Sequence, residues 1–435
     1  MQHIIIGAGP AGVVAAETLR RKSPDCSIKL IGDEPEPPYS RMALPYHLAD
    51  DISEAGTYLR KAEDYFDNNR IEVVRARVES VNTDAKNLSL DNGGSESYDR
   101  LLIATGSAPR KPPISGVDLP GVHNCWTLAD ARAIIERARA GSKVVLMGAG
   151  FIGCIILEAL NARKVDLTVI EMEDRMVPRM MNSESGGLIK SWCEGKGVNV
   201  LTSTSVKSIE SPAKNSAGGG FFGFFKRKPK QPESGSPLKV NLSNGKTLEA
   251  DLVICATGVA PNMAFVSNVL KTDHGILVDQ TLATSADGVF AAGDVAQGLD
   301  FSTGGYSVQA IQPTAVEHGR LAASNMLDGH ESLHRGSVNM NILDTMGLIS
   351  GSFGAWQGVG GGDSTELRDN GRYRYLNLQF QDDVLVGANS LGLTQNIGVL
   401  RGLIQTKLPL GKWKSRLMND PTRISEAYIS VTQSI

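Results

Sequence analysis

Three glycines near the start of the chain carry its first chemical signal. Gly7, Gly9 and Gly12 are spaced Gly-x-Gly-x-x-Gly, with Pro10 and Ala11 between the last two. That spacing suits phosphate binding: one glycine for a tight turn, one so that the backbone can approach a pyrophosphate, one for close packing of helix on strand. Free N–H groups and the positive end of a helix dipole then face the anion. An acidic pair, Asp33-Glu34, lies about twenty residues further on, where a carboxylate meets the hydroxyls of a ribose. The same chemistry recurs at Gly148, Gly150 and Gly153, with Phe151 and Ile152 inside the motif, and Glu171 follows it at a similar distance. A carboxylate there accepts from a ribose 2′-hydroxyl and repels a 2′-phosphate, so NADH is expected over NADPH; Arg175 and Arg179 stand close by.

Each motif needs a strand before it and a helix after it. The apolar run Ile4-Ile5-Ile6 precedes the first, and Val13 to Leu19 follows with helical spacing. Ser27 to Ile31 reads as the next strand. Lys143 to Met147 and Asp166 to Ile170 frame the second motif, with a helical run at Ile155 to Leu160. Two strand-turn-helix units imply two nucleotides held face to face.

The remaining chain is ordinary in composition: of 435 residues, 41% are hydrophobic and 21% charged, with a net charge of −3. Such a balance does not suggest nucleic acid as a partner. The length implies two to four domains. No apolar run is long enough to cross a bilayer. The first motif begins at residue 7, too early for a secretory leader before it, so a cytoplasmic location is expected. Cys26, Cys125, Cys154, Cys193 and Cys255 form no C-x-x-C pair, which argues against a disulfide framework or a metal site and for buried thiols.

Between the motifs, the proline-rich stretch Glu34 to Tyr46 is expected to be a loop leading into a short helix. Ile71 to Val81 alternates like one strand, and Leu88 to Asp99 like a hairpin. Leu101 to Gly106 and Asp251 to Gly258 both end in Ala-Thr-Gly, a strand running into a glycine turn. Gly288 to Val295 closes on Gly293-Asp294. Pro313-Thr314-Ala315 opens a helix through Glu317, His318 and Arg320, with His318 expected on its surface. Strands return from Met340, and the chain is expected to end in a helix near Asn396 to Gln405.

Together these residues resemble the FAD- and NAD(P)-dependent pyridine nucleotide–disulfide oxidoreductase superfamily: Gly7-Gly9-Gly12, Ala104-Thr105-Gly106, Gly148-Gly150-Gly153, Ala256-Thr257-Gly258 and Gly293-Asp294 occur in its order. The resemblance implies an α/β fold of two Rossmann-like domains with a C-terminal α+β domain. It implies FAD bound by residues 1–110 and 246–325, NAD bound by 111–245, and a dimerisation domain over 326–435. Pro38 to Arg41 and Gly387 to Gly398 resemble a narrower branch of NADH oxidases, rubredoxin and ferredoxin reductases, and the flavin module of NADH nitrite reductase. By that likeness Asp294 meets the ribityl chain of FAD and Arg41 lies along the cofactor. Further FAD contacts are expected at Val78, Ala104, Thr105, Gly106, Pro313, Thr314 and Ala315, and an NAD contact at Gly258.

Departures from the branch narrow the chemistry. Where related enzymes place a redox cysteine stands Met42, which is no nucleophile. A histidine of the peroxidases is replaced by Pro10. The Lys and Glu kept by ferredoxin reductases are replaced by Tyr46 and Ile155, with Glu158 one turn on. No catalytic side chain is therefore expected at the flavin. The expected activity is transfer of a hydride from NADH to FAD, then of electrons to a redox protein or partner subunit. Alternatives are direct reduction of oxygen, a quinone or a sulfur compound, or a flavin-bearing subunit without turnover. Residues 211–237 read as a disordered insert. Its Phe221, Phe222, Phe224 and Phe225 beside Lys226 to Lys230 suit either a bland loop or a contact of 218–230 with a membrane surface or acidic partner.

Overall fold

The computed structural model describes residues 1–211, 237–327 and 331–433. The insert read at 211–237 lies almost wholly outside them.

Two parallel sheets organise the described residues. In the first, the strands run in the order Val289–Ala291, Arg100–Ile103, Gln2–Ile6, Ser27–Gly32, Glu72–Arg75. All four pairings are parallel. In the second the order is Asn199–Leu201, Asp166–Ile170, Lys143–Met147, Leu252–Cys255, Val122–His123, again parallel throughout. Strands covered on both faces must be apolar along their length. Ile4, Ile5, Leu101 and Leu102 in one sheet, and Leu146 and Ile254 in the other, are accordingly inaccessible.

Each sheet carries an antiparallel three-stranded flap: Val78–Asn82, Asn87–Leu90, Ser95–Ser97 on the first, and Val206–Glu210, Leu238–Leu242, Thr247–Ala250 on the second. The stretch 71–81 is therefore two strands, not one. Glu72–Arg75 pairs with the parallel sheet and Val78–Asn82 with the flap, because the intervening residues turn the chain out of plane. The second repeat also moves a boundary. Leu252–Cys255 pairs with Lys143–Met147, so the second unit extends past residue 246 to its own Ala-Thr-Gly turn. The chain crosses between the units on two short antiparallel strands, Ser107–Pro109 and Val259–Pro261, each following one of these turns.

The C-terminal part is an antiparallel sheet ordered Met340–Thr345, Leu348–Gly354, Val384–Leu391, Arg374–Gln381, Asp363–Asp369. One face buries Phe353, Leu378 and Phe380 under the helix Ile397–Thr406. Two further helices follow, Lys412–Asn419 and Ile424–Gln433, so the chain does not end where the apolar pattern weakens. The other face shares a core with the second unit, where Leu343, Leu348, Tyr375 and Leu391 meet Leu157 and Leu160. Polar contacts lock this junction: the Trp192 indole N–H donates to the Thr345 carbonyl at 3.1 Å, and the Asn389 amide donates to the Met180 carbonyl at 2.9 Å. Among the described residues no helix is long and apolar enough to cross a membrane.

The helices Pro10–Lys22 and Gln312–Asn325 pack closely because Gly319 has no side chain; a Cβ there would come within 2.3 Å of the Ala11 carbonyl oxygen. Gly319→Ala should therefore force the helices apart and cost about 1–3 kcal/mol. Urea unfolding checks this, and an unchanged midpoint would show that the contact relaxes freely.

Candidate functional site

The two glycine motifs fold alike because their glycines face the same obstacles. Gly7 has φ +112, and a Cβ on it would sit 2.1 Å from the Ala104 carbonyl oxygen. Gly148 has φ +99 and would meet the Ala256 oxygen at 2.5 Å. A Cβ on Gly12 would lie 1.9 Å from the Gly7 oxygen, and one on Gly153 2.1 Å from the Gly148 oxygen. At Gly9 and Gly150 a Cβ would meet nothing within 4 Å. The outer glycines thus serve the packing, while the middle ones leave a bare backbone facing open space. The helices Pro10–Lys22 and Phe151–Ala162 both start without a side-chain cap, so their first N–H groups remain available to an anion.

A cavity of about 990 Å³ runs between the two units. Its wall includes Gly7, Gly9, Pro10, Ala11, Asp33, Glu34, Arg41, Val78, Ala104, Thr105, Gly106, Gly293, Asp294 and Ala315 from the first unit, and Phe151 and Ile152 from the second. Gly12, Gly148, Gly150, Gly153, Glu171, Gly258, Pro313 and Thr314 are not among its lining residues. Trp126, Asn124, Asn262 and Gln312 line it without any expectation from sequence. No motif marks them; Asn124, Trp126 and Asn262 arrive from loops beside the crossover strands, and Gln312 from the first turn of the helix Gln312–Asn325.

Arg41 is the centre of a compact cluster on this wall. Its guanidinium donates to Glu34 at 2.5 Å and to the Trp126 carbonyl at 2.7 Å. It lies 5.5 Å from the Tyr39 ring centroid and 5.4 Å from that of Trp126. The Tyr39 hydroxyl also donates to Glu34. Asp33 instead pairs with Arg77 at 2.9 Å. Both members of the acidic pair therefore border the cavity with one side already neutralised.

Asp294 is half-buried and accepts from the Ser107 hydroxyl at 3.2 Å. Burial raises its carboxyl pKa, against the Ser107 bond and the nearby Arg41 charge. A desolvated carboxylate with lone pairs to spare suits a donor such as a sugar-alcohol hydroxyl. With bare Gly9 and an uncapped helix start for a pyrophosphate, the lining fits a flavin dinucleotide.

Glu171 differs from a solvated strand-end charge: it is 6% exposed. Its carboxylate accepts the Ala149 N–H at 2.7 Å and the Glu173 N–H at 2.9 Å. It braces the second glycine loop from below. Of the departures from the family pattern, Met42 and Ile155 line the cavity, while Tyr46 is 59% exposed. Burial, with Asp344 nearby, raises the Glu158 carboxyl pKa. All five cysteines are buried and free. Cys125 borders the cavity, yet burial pushes its thiol up to about 12, which leaves no thiolate for redox work.

His318 corrects its expected surface position. It is 4% exposed and packs against His334, which is 2% exposed. The helix turns this face inward because Gly319 brings it onto its neighbour.

The family model for pyridine nucleotide-disulphide oxidoreductases matches residues 1–319. The epsilon subunit of NADH-dependent phenylglyoxylate dehydrogenase from Aromatoleum evansii is 28% identical over 99% of this chain and 98% of its own length. Rhodocoxin reductase from Rhodococcus erythropolis is 32% identical over 75% of this chain and 72% of its own. Among solved structures, an NAD-dependent persulfide reductase from A. fulgidus superimposes with a TM-score of 0.82 at 28% identity, covering 95% of this chain and 78% of the other.

Burial pushes His318 down to about 3 and also lowers His334. Unfolded, both rings titrate near ~6.5. The unfolded chain therefore binds more protons once the pH drops below that value, and stability falls as pH falls from there toward the folded value. Thermal unfolding between about pH 7 and 5 should show this loss, and His318→Asn should show less of it. Equal slopes would mean that the rings take up no protons on unfolding.

Proposed function

Because the chain belongs to the pyridine nucleotide-disulphide oxidoreductase family, we propose that it is a FAD-dependent reductase that takes a hydride from NADH and passes the electrons to a redox protein or partner subunit. One observation carries this: both glycine-motif helices begin at a single cavity, Pro10 and Ala11 from one side and Phe151 and Ile152 from the other. FAD, when bound, accepts the hydride and releases electrons singly or in pairs.

The chain's own residues bind, orient and exclude water. The first glycine loop and the start of the helix Pro10–Lys22 hold the pyrophosphate. Asp294 accepts from the polyol. Arg41, fixed by Glu34 and its two aromatic neighbours, keeps its stem and charge along the cofactor. Met42, Pro45, Phe151, Ile152 and Ile155 form an apolar wall at the junction of the units. That wall keeps water from the reacting atoms, and no acid, base or thiolate is required of the protein, since a hydride needs only alignment. Residues up to the crossover strand Ser107–Pro109, and again from Val259–Pro261 to about 325, form the FAD module, with the NADH module between them.

A protein acceptor is favoured because a relative that matches this chain almost from end to end is a subunit of an NADH-dependent dehydrogenase. Direct thiol-based sulfur reduction is disfavoured by Met42 and by the burial of Cys125. Anaerobic stopped-flow mixing with NADH should bleach the flavin within a turnover. Reoxidation by air should then be slow, and reoxidation by ferricyanide or a small iron–sulfur protein fast. Rapid reoxidation by air would make it an oxidase, and no bleaching would leave a non-catalytic subunit.

Glu171 is the proposed nicotinamide-side selector, acting both through the loop it braces and through the ribose. Glu171→Ala should raise the KM for NADH about tenfold or more, since charge-assisted bonds are worth roughly 1.5–3 kcal/mol, while kcat changes little. A loss confined to kcat would place its role in the chemical step instead.

A further inference from the structure

Behind Asp294, on the side away from the cavity, lies a buried polar chain that the nucleotide motifs do not require. The Gly293 N–H points at His318 Nδ1 at 3.4 Å. His318 Nε2 lies 3.3 Å from His334 Nε2, and the rings meet edge to face with centroids 4.6 Å apart. The Ser337 Oγ is also 3.3 Å from His334 Nε2, and the Thr314 hydroxyl donates to Ser337 Oγ at 3.4 Å. His334 is held in turn by its backbone N–H, which donates to the Gln280 carbonyl at 2.7 Å. Its Nδ1 faces the exposed Glu317 carboxylate at 3.9 Å.

One set of tautomers, assigned from the bonding, accounts for the run from Gly293 through His318 to His334 and leaves the buried His334 Nδ1 without a hydrogen-bond acceptor. Gly293 donates to His318 Nδ1, so the His318 proton sits on Nε2. That N–H donates to His334 Nε2, so the His334 proton sits on Nδ1, toward Glu317. Both rings are neutral in this arrangement: His318 accepts from the Gly293 N–H, and the one lone pair of His334 Nε2 faces both the His318 N–H and the Ser337 hydroxyl.

Gly293 needs such a partner. It has φ +75, and a Cβ would press on Ala11 and Ala315 at 3.3 and 3.4 Å. The preceding amide, Ala292, is the last to bond along the sheet, donating to the Ile103 carbonyl at 3.0 Å. Past it the chain leaves the strand, and the buried Gly293 N–H would be costly without an acceptor. His318 supplies one from behind, and the next residue presents its carboxylate in front.

We propose that His318 is a positioning residue for Asp294, with His334 fixing its tautomer, so that the Gly293–Asp294 turn is oriented for the polyol of FAD before the cofactor arrives. This rests on Asp294 being a ligand of that polyol. His318 touches neither cofactor nor substrate; it acts through the Gly293 amide.

FAD binding to the full-length flavin-free protein, followed by flavin fluorescence, tests this in a double-mutant cycle. Asp294→Ala should weaken binding. His318→Leu should weaken it about tenfold, whereas His318→Asn, which keeps an acceptor at the Nδ1 place, should stay within about threefold of wild type. Combined with Asp294→Ala, His318→Leu should cost nothing further, a result that a general loss of packing would not produce. Additive losses, or wild-type affinity in His318→Leu, would overturn the proposal. Wild-type affinity in Asp294→Ala would instead overturn the assignment of Asp294, and the proposal with it. If His318→Leu does not fold, His334→Leu replaces it: a loss of about threefold that disappears without Asp294 supports the pair, and unchanged affinity refutes it.

Discussion

The close approach of backbone to backbone at the glycine turns is the constraint on which the rest of this molecule depends. Gly7 packs on the Ala104 carbonyl and Gly12 on the Gly7 carbonyl, at distances where no Cβ fits. Gly148 and Gly153 repeat the arrangement against Ala256 and Gly148. Only such contacts let a helix start directly above the end of its strand with its N–H groups unspent. Larger residues at these places would displace the helix and its free N–H groups with it.

Repetition of that unit sets the architecture. In each sheet one strand runs into an Ala-Thr-Gly turn, and each turn releases one of the two antiparallel crossover strands. Because the chain crosses there, the second unit is inserted within the first and their motif ends face one another. The cavity is a consequence of this insertion, since neither unit encloses it alone. The C-terminal sheet adds stiffness. It shares a core with the second unit and is tied to it by Trp192, Asn182 and Asn389, so that unit is seated on a broad apolar base.

Electrostatics within the site follow from burial rather than from net charge. Glu34 is matched to Arg41, Asp33 to Arg77, and Glu171 to two backbone amides. Asp294 is the carboxylate left with the weakest compensation on the cavity wall, and its pKa rises accordingly. Thiols are removed from the chemistry by the same effect: desolvation disfavours the thiolate at Cys125, Cys154, Cys193 and Cys255. What remains is a site built to hold and align.

Local patterns in the chain were enough for the two glycine turns and the apolar strands that flank them, because each depends on residues close in sequence. Continuous apolar runs such as Ile4-Ile5-Ile6 have to be buried, and Gly-x-Gly-x-x-Gly excludes most other turns. The order of the motifs also sufficed for the family. Tertiary structure alone decided the remainder. It split 71–81 between two sheets and gave Leu252–Cys255 to the second unit, since strand pairing is a long-range choice that alternation does not encode. It turned Glu171 inward onto two amides and buried His318, because a side chain's surroundings are set by what packs over it. Trp126 reached the cavity, and His334 reached His318, from segments whose local sequence carries no sign of either meeting.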